Sequence, residues 1–466
     1  MADTVMAADP SILDRLKDAL GDDRVDTSDD LRARHTHDWT GIHGAVPAAV
    51  IRPRSVEEVS TFLRLCHEHR QPVAVQGGLT GLAGAASCQA GEIALSLERL
   101  NRVERVEDGA IIVEAGATIA AAQAAALEAG AELGIDFGAR GTATVGGAIS
   151  TNAGGLHVIE TGMTRPQVLG LEVVLADGRV LTELTAMVKV NSGFDLKHLF
   201  IGSEGALGVI TRACFALRPH RAGVATALVA LDSPDRLKPA LAEARRHFGP
   251  DLSAFEAMWP DYVETMSARS PFSLPLAAPM LVILEVRDAE ADRANARMQS
   301  FLEAGAESGL VVDAVVAQSG AQAKSLWQLR DEGPACYDQA FASFAAFDVS
   351  IPLAILPRVA EEVAAPFRAE PGLHPLTYGH IGDQNLHFVI GSDEKLDEAA
   401  KKAIYDRVYG TIARNGGAIS AEHGIGVLKK PYLSLARSPV AIEVMRSLKR
   451  TLDPHHILNP GRVIDV

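Results

Sequence analysis

Short apolar runs alternate with helical segments through the first half of the chain, and glycine punctuates the joins. Ala48–Ile51 (AAVI), Pro72–Gln76 (PVAVQ), Ile93–Leu97 and Ala110–Ala115 read as buried strands. Ser55-Val-Glu-Glu opens a helix that runs to about Arg70, with Ser55 as N-cap and Glu58 in the capping-box position. An alanine-rich helix follows from about Ile119 to Leu127. Leu169–Leu175, Asp177-Gly178 and Val180-Leu181 predict a hairpin with Asp-Gly at its turn. This punctuation predicts α/β packing rather than a sandwich or a helical bundle.

Around Arg218-Pro219-His220 the glycine density falls and the rhythm changes. A strand from Val224 (ATALVALD), a helix (SPDRLKPALAEARRHF), a strand at Leu281–Val286, a helix over about 289–308 and a strand near Val311–Val316 follow in order. Such alternation suits an antiparallel sheet covered on one face by helices. A domain boundary is expected near residue 221. The last stretch, Leu452 to Val463, reads as a loop and strand that return to the first domain.

At 466 residues the chain exceeds one simple core. Its 44 Lys+Arg against 59 Asp+Glu leave a net charge of −15, which excludes a general electrostatic footprint for nucleic acid or anionic lipid. An anionic substrate would need a local cluster of Arg, Lys, His or metal. The four cysteines, Cys66, Cys88, Cys214 and Cys336, lack CxxC spacing and read as reduced thiols. The start, MADTVMAADPSILDRLKDAL, lacks the basic and apolar regions of a signal peptide, and no transmembrane run is evident, so a cytoplasmic location is expected.

Two glycine clusters change the picture. Gln76-Gly-Gly-Leu-Thr-Gly-Leu-Ala-Gly84 directly follows a strand, and glycines there can bring backbone N–H groups close to a phosphate. It matches neither a Walker A loop nor GxGxxG, and alone it reads equally well as a tight structural loop. Gly141-Thr-Ala-Thr-Val-Gly-Gly-Ala-Ile-Ser-Thr-Asn-Ala-Gly-Gly155 offers many donors with almost no bulk, and the segment from Asn191 to Thr211 repeats that character.

In order and spacing, QGGLTGLAG, TVGGAISTNAGG and FIGSEGALGVIT resemble the FAD-binding domain of the vanillyl-alcohol oxidase / p-cresol methylhydroxylase superfamily, over roughly residues 45–220. The resemblance implies an α+β fold. An FAD-binding domain of two α/β subdomains would span residues 1–220, and a substrate and metal-binding cap domain with an antiparallel sheet 221–430. A C-terminal segment, 431–466, would return to the FAD domain. It implies that Gly77, Gly78, Thr80 and Gly81 hold the FAD pyrophosphate with Gly146 and Gly147. Thr151, Asn152 and Gly205 would line the flavin or adenosine parts. Gln76, Leu79, Thr144, Ser150, Gly154, Val209, Ile210 and Asn459 would complete the cofactor site. Leu79 stands where many members carry Asn. No His or Cys occupies a recognisable attachment position, so FAD is expected to be non-covalent.

Tyr378-Gly-His-Ile-Gly-Asp-Gln-Asn-Leu-His-Phe-Val-Ile390 sets two histidines seven residues apart. A regular strand would send them to opposite faces, but a turn at Gly382-Asp383 lets His380 and His387 converge. Ala418-Ile-Ser-Ala-Glu-His-Gly-Ile-Gly426 places Glu422 beside His423. Two imidazoles and a carboxylate suit zinc, manganese or iron with open coordination positions. Each histidine alone reads as an ordinary core residue, as do His220, His374 and the His455-His456 pair.

Together, GHIGDQNLH and EHGIG are similar to the metal motif of the FAD-linked D-2-hydroxy acid dehydrogenases of that superfamily, which include D-lactate, D-2-hydroxyglutarate and glycolate enzymes. The resemblance implies His380, His387 and Glu422 as metal ligands, His423 as the base and Asn385 as a substrate contact. It also implies Arg330, in Leu326-Trp-Gln-Leu-Arg-Asp-Glu, as the partner of the substrate carboxylate. A guanidinium fork matches that group, although a solvated helix arginine is an equal reading of Arg330 alone. Because the base must be neutral to accept a proton, activity is expected to fall in acid. Lys429 and Lys430 read as surface charges.

Two departures bear on substrate. Gln384 replaces the usual glycine of GDGN, and Ala346 stands where 2-hydroxyglutarate-type members carry a lysine for the second carboxylate, which favours a monocarboxylate. The expected reaction is oxidation of a small 2-hydroxy acid, of the D series. The alternatives are a non-redox flavoprotein of the same fold, resembling alkyl-glycerone-phosphate synthase, and a partner-dependent flavoprotein subunit of a glycolate oxidase-like complex. Oxygen, a quinone, a cytochrome and an electron-transfer flavoprotein all stay open as acceptors. NAD is not expected, and a homodimer is compatible with the sequence.

Overall fold

The computed structural model describes residues 10–41, 44–268, 276–331 and 333–466. Residues 1–9 of the acidic start and Glu332 of the Arg330 motif lie outside them. The chain divides into two compact units. The first holds the chain up to Gly155, Gly162–Pro219 and Glu422–Val466; the second holds Leu156–Thr161 and His220–Ala421.

The first unit is built on two main sheets. Val25–Asp26, Val50–Ile51, Ile93–Ser96 and Val73–Gln76 form one in that order, with the last three strands parallel. Strands running parallel need a crossover, and the helix Val56–His69 joins Val50–Ile51 to Val73–Gln76, which flank Ile93–Ser96. Ser55 Oγ accepts from Glu58 N at 3.3 Å, as the cap predicts. The reciprocal half of the capping box is missing, because Glu58 Oε2 accepts instead from Arg54 N (2.6 Å) and Arg24 Nε (2.9 Å).

The other sheet is antiparallel, in the order Val103–Glu107, Ala110–Glu114, Val209–Ala216, Val168–Val174, Val180–Glu183. The expected Asp-Gly hairpin joins its last two strands, with Val174 opposite Val180. Phe62, Val73, Ile93, Val113, Val173 and Phe215 share one core.

The C-terminal stretch runs beside the strand Val73–Gln76, with Val73 N donating to Ile457 O (2.7 Å) and Asn459 N to Val73 O (2.9 Å). Two buried cations hold it. Lys449 Nζ donates to Asp453 Oδ2 (2.6 Å) and to the Leu458 and Ala206 carbonyls. Arg462, 1% exposed, meets Glu92 at 2.7 Å and donates to Ser87 O. Lys429, expected at the surface, is also buried: the first unit sets it near the buried carboxylate of Glu204, whose pKa it draws down. Among the described residues the cysteines are unpaired, as expected.

The second unit carries a seven-stranded antiparallel sheet in the order Asp313–Val316, Gly223–Leu231, Met280–Asp288, Leu252–Met258, Leu373–His380, Asn385–Ser392, Ser343–Ser350. Leu252–Met258 and Asn385–Ser392 are buried along their whole length, so both faces of the sheet are covered there, not the one expected. The reason is visible in LSAFEAM, which lacks the polar alternation of a half-solvated strand. Tyr262 and Met266 of the helix Pro260–Ser267, with Leu326 and Leu329 of Gly320–Asp331, pack on Leu281 and Ile283.

Two stability predictions follow from buried charge. Arg462→Leu strands the Glu92 carboxylate, and urea unfolding should show a loss of about 3–5 kcal/mol, much of it restored when Glu92 is also made apolar. Burial pushes the Asp261 carboxyl up to about 6. A raised folded-state value favours the protonated form, so the stability it lends at low pH is lost as pH rises through about 6. Asp261→Asn should remove that slope between about pH 4 and 6 and raise stability at pH 7 by up to about 3 kcal/mol.

Candidate active site

In the first unit the two glycine clusters meet. Gly78 lies so close to the second cluster that a Cβ on it would fall 2.0 Å from the Thr142 carbonyl oxygen. Thr144 caps the short helix Val145–Thr151, its side chain accepting from Gly147 N at 3.3 Å. Gly77, Gly78, Thr144 and Gly147 are thereby brought together, with Gly146 buried against Ala115. Leu79 sits at φ 56°, a left-handed conformation that suits the Asn of the resemblance better than leucine. Thr80 and Gly81 continue the loop, and Gly81 faces the buried Asp38.

Other expected cofactor residues hold the frame of this cradle. Gln76 is buried, its amide accepting from His35 Nδ1 (2.6 Å) and donating to the His35 and Ala86 carbonyls. Asn152 Oδ1 accepts from Arg165 N (2.8 Å), and Thr151 Oγ1 donates to Gly147 O (3.2 Å). Asn459 accepts from Val75 N (2.8 Å) and donates to Glu204 O (2.6 Å), beside Gly205. Ser150 O accepts from Glu204 N (2.8 Å). Val209 and Ile210 are buried strand residues opposite Val174 and Val173.

The EHGIG turn belongs to the same unit. Glu422 Oε1 accepts from Gly155 N at 2.6 Å, and Gly154 leaves the room: a Cβ there would fall 2.2 Å from that oxygen. Glu204, which sequence reasoning passed over inside its own motif, accepts from Ile425 N (2.7 Å) and Gly426 N (2.8 Å) and so pins the turn that carries Glu422 and His423. Burial pushes the Glu204 carboxyl up, and those two N–H groups and Lys429 offset part of it.

In the second unit the hairpin of Leu373–His380 and Asn385–Ser392 turns through Ile381–Asp383, with Gln384 in the left-handed region at φ 72°. His380 and His387 converge across that turn, their ring centroids 5.2 Å apart. Each has a buried carboxylate behind it. His380 Nδ1 lies 2.5 Å from Glu256 Oε1, and His387 Nδ1 lies 4.0 Å from Asp348 Oδ1. Asp348 also accepts from Asn385 Nδ2 (2.7 Å) and Ala421 N (3.2 Å), while Asn385 Oδ1 is buried without a partner.

Arg330 is no solvated helix arginine. Its side chain is 12% exposed, its Nε donates to Glu256 Oε2 (3.1 Å), and its Nη2 lies 2.9 Å from His380 Nε2. Its guanidinium stands 5.2 Å over the Tyr378 ring. Burial alone would push the Glu256 carboxyl up, but His380 and Arg330 outweigh it and draw it below the usual range. Glu256 and Asp348 were not singled out from sequence. The available signal was a lone acid in an otherwise uncharged strand, LSAFEAM, and another in FDVSIP.

Comparison with known proteins agrees with this architecture. Residues 47–183 match the model of an FAD binding domain, and residues 221–463 that of the C-terminal domain of FAD linked oxidases. The chain belongs to the FAD-linked oxidase family. It is therefore a flavin-linked oxidoreductase of the vanillyl-alcohol oxidase / p-cresol methylhydroxylase fold.

Among its relatives, a D-2-hydroxyglutarate dehydrogenase of Xanthomonas citri pv. viticola is 38% identical over 98% of this chain and 97% of its own length. A mitochondrial protein of Schizosaccharomyces pombe, provisionally named a D-lactate dehydrogenase, is 30% identical over 99% and 89%. Two solved structures, p-cresol methylhydroxylase (TM-score 0.76, 17% identity, 98% of this chain and 96% of that one) and alkyldihydroxyacetonephosphate synthase (0.76, 18%, 98% and 87%), share the fold. No helix among the described residues is long and apolar enough to cross a membrane.

The glycine contact gives a direct test of the cradle. Gly78→Ala should purify folded but with its FAD occupancy cut at least about tenfold, read as the ratio of flavin to protein absorbance. Full occupancy would show that the two clusters do not form the cofactor site.

Proposed function

We propose that the chain oxidises a D-2-hydroxy acid to the 2-oxo acid, with the α-hydrogen leaving as hydride. The observation that carries this reading is the contact of Arg330 Nη2 with His380 Nε2 at 2.9 Å, in a buried setting. A carboxylate-binding cation beside a ligand-type imidazole is what a substrate with adjacent carboxylate and hydroxyl requires. Arg330 binds the carboxylate, and Asn385, whose Oδ1 is buried without a partner, contacts the substrate. His423 takes the hydroxyl proton onto an imidazole nitrogen. FAD, held without a covalent bond, supplies the hydride acceptor.

The donor set fits a divalent ion. Nδ1 of His380 is engaged by Glu256, which leaves its lone pair on Nε2, while the Asp348 carboxylate lies near His387 Nδ1 at 4.0 Å, beyond hydrogen-bond reach. His380, His387 and Glu422 are the residues that would hold zinc, or manganese or iron, and Lewis-acid polarisation of the substrate hydroxyl is the chemistry such an ion would supply.

Ala346, on the strand Ser343–Ser350, brings no charge for a second carboxylate, which favours a monocarboxylate such as D-lactate. D-2-hydroxyglutarate is the second reading, favoured by the names of the relatives. The non-redox alternative draws on a fold shared at 18% identity, whereas the dehydrogenase relatives match at up to 38% over nearly the whole chain.

The deciding experiment is an anaerobic titration of the purified protein with D- and L-2-hydroxy acids, before and after chelator treatment. D acids should bleach the flavin band, chelation should abolish it, and zinc or manganese should restore it. D-lactate should give the higher kcat/KM, and a preference for D-2-hydroxyglutarate would transfer the assignment to the second reading. A flavin that no hydroxy acid bleaches would refute the dehydrogenase reading. Arg330→Met should raise the substrate Kd about 10–100-fold, the loss expected when a buried charge-assisted contact is removed.

A further inference from the structure

We propose that Glu256 is a positioning residue that ties Arg330 and His380 together, so that one side chain sets both the substrate-carboxylate clamp and the metal ligand set. The inference rests on the roles given to Arg330 and His380 above, and it concerns a residue outside both of their motifs.

The strand Leu252–Met258 contains one ionisable residue, Glu256, whose side chain is 1% exposed. A bare carboxylate there would be prohibitive, so it must be paired and hydrogen-bonded from within the unit. Strand register provides the first partner. Glu256 and His380 are directly opposite in the antiparallel pairing, which puts their side chains on one face. Oε1 takes His380 Nδ1 at 2.5 Å, and the helix Gly320–Asp331 brings Arg330 Nε to Oε2 at 3.1 Å. The two oxygens are thus divided between two partners.

Each contact has a chemical consequence. A proton on His380 Nδ1 leaves Nε2 as the ring's one lone pair. That nitrogen meets Arg330 Nη2 at 2.9 Å, and one lone pair cannot serve both a guanidinium and a metal ion. An ion held at Nε2 would displace Arg330 from that contact, while the Nε anchor on Glu256 would keep the guanidinium placed for a substrate carboxylate. Glu256 is the fixed point of that exchange, and an acid that only neutralised Arg330 would not need to face His380 as well.

Glu256→Gln in the full-length flavoprotein tests this. Its single amide oxygen can accept from His380 or from Arg330, and its NH2 group then opposes the other. Two constants are read: the Kd for the reducing D-2-hydroxy acid, from anaerobic flavin bleaching, and the Kd for zinc, from competition with a chromophoric chelator on stripped protein. Both should weaken, each about 10–100-fold, with FAD retained. Glu285→Gln is the comparison, because Glu285 is also a buried acid of the neighbouring strand Met280–Asp288, held by His157, Ser253, Thr226 and Trp327. It should cost stability yet leave both constants at wild-type values.

Both constants within twofold of wild type in Glu256→Gln would overturn the proposal, as would equal shifts in Glu285→Gln. If Glu256→Gln does not fold, Glu256→Asp carries the same criterion, since a carboxylate one carbon shorter reaches one partner but not both. A wild-type protein with no zinc affinity would refute the metal assignment. The substrate constant alone then decides: tenfold weakening in Glu256→Gln supports the clamp, and no change sinks it.

Discussion

An acid buried in a sheet without water must be answered from inside the fold, and the second unit is arranged around that demand. Its central strands are largely apolar, yet Glu256 and Glu285 lie within them, and Asp348 is buried in the edge strand Ser343–Ser350. Each is met by donors that the sheet register or a covering helix delivers: His380 and Arg330 for the first, Ser253, Thr226 and Trp327 for the second, Asn385 and the Ala421 amide for the third. Desolvation makes such groups costly when unpaired and rigid when paired. The side chains assigned to chemistry are the partners that satisfy two of these acids, so catalytic geometry and core stability are specified together.

Much of this was legible in the chain, because local rules governed the legible parts. The Ser55 cap, the Asp-Gly hairpin and the turn that lets His380 and His387 converge each depend on a few adjacent residues. Tertiary contacts decided what was missed. Lys429 looks like a surface lysine beside Lys430, but its neighbour is Glu204, more than 200 residues earlier. Arg330 could be read as solvated because its partner, Glu256, lies in a strand with no motif. The backbone bonds of the Asn459 amide and of Asn152 Oδ1, which shape the cradle, are likewise invisible in the sequence.

The fold by itself leaves the chemistry open. Proteins as different as a methylhydroxylase and an alkyldihydroxyacetonephosphate synthase superpose on this chain equally well. The reaction is carried by the few residues of a site and not by the fold. Ala346 is exposed on a strand held by pairing with Asn385–Ser392, so a different side chain there need not disturb the sheet.

The chain order of the first unit also has a consequence during synthesis. Its sheet strand Val73–Gln76 is bordered by residues 457–459, and Arg462 neutralises Glu92. All of these partners are synthesised some 370 residues or more after the groups they complete. The second unit, by contrast, is almost continuous from His220 to Ala421 and can complete itself while the final segment is still being made. The second unit can therefore be complete before the first, whose parallel sheet and buried Glu92 wait for residues 457–462.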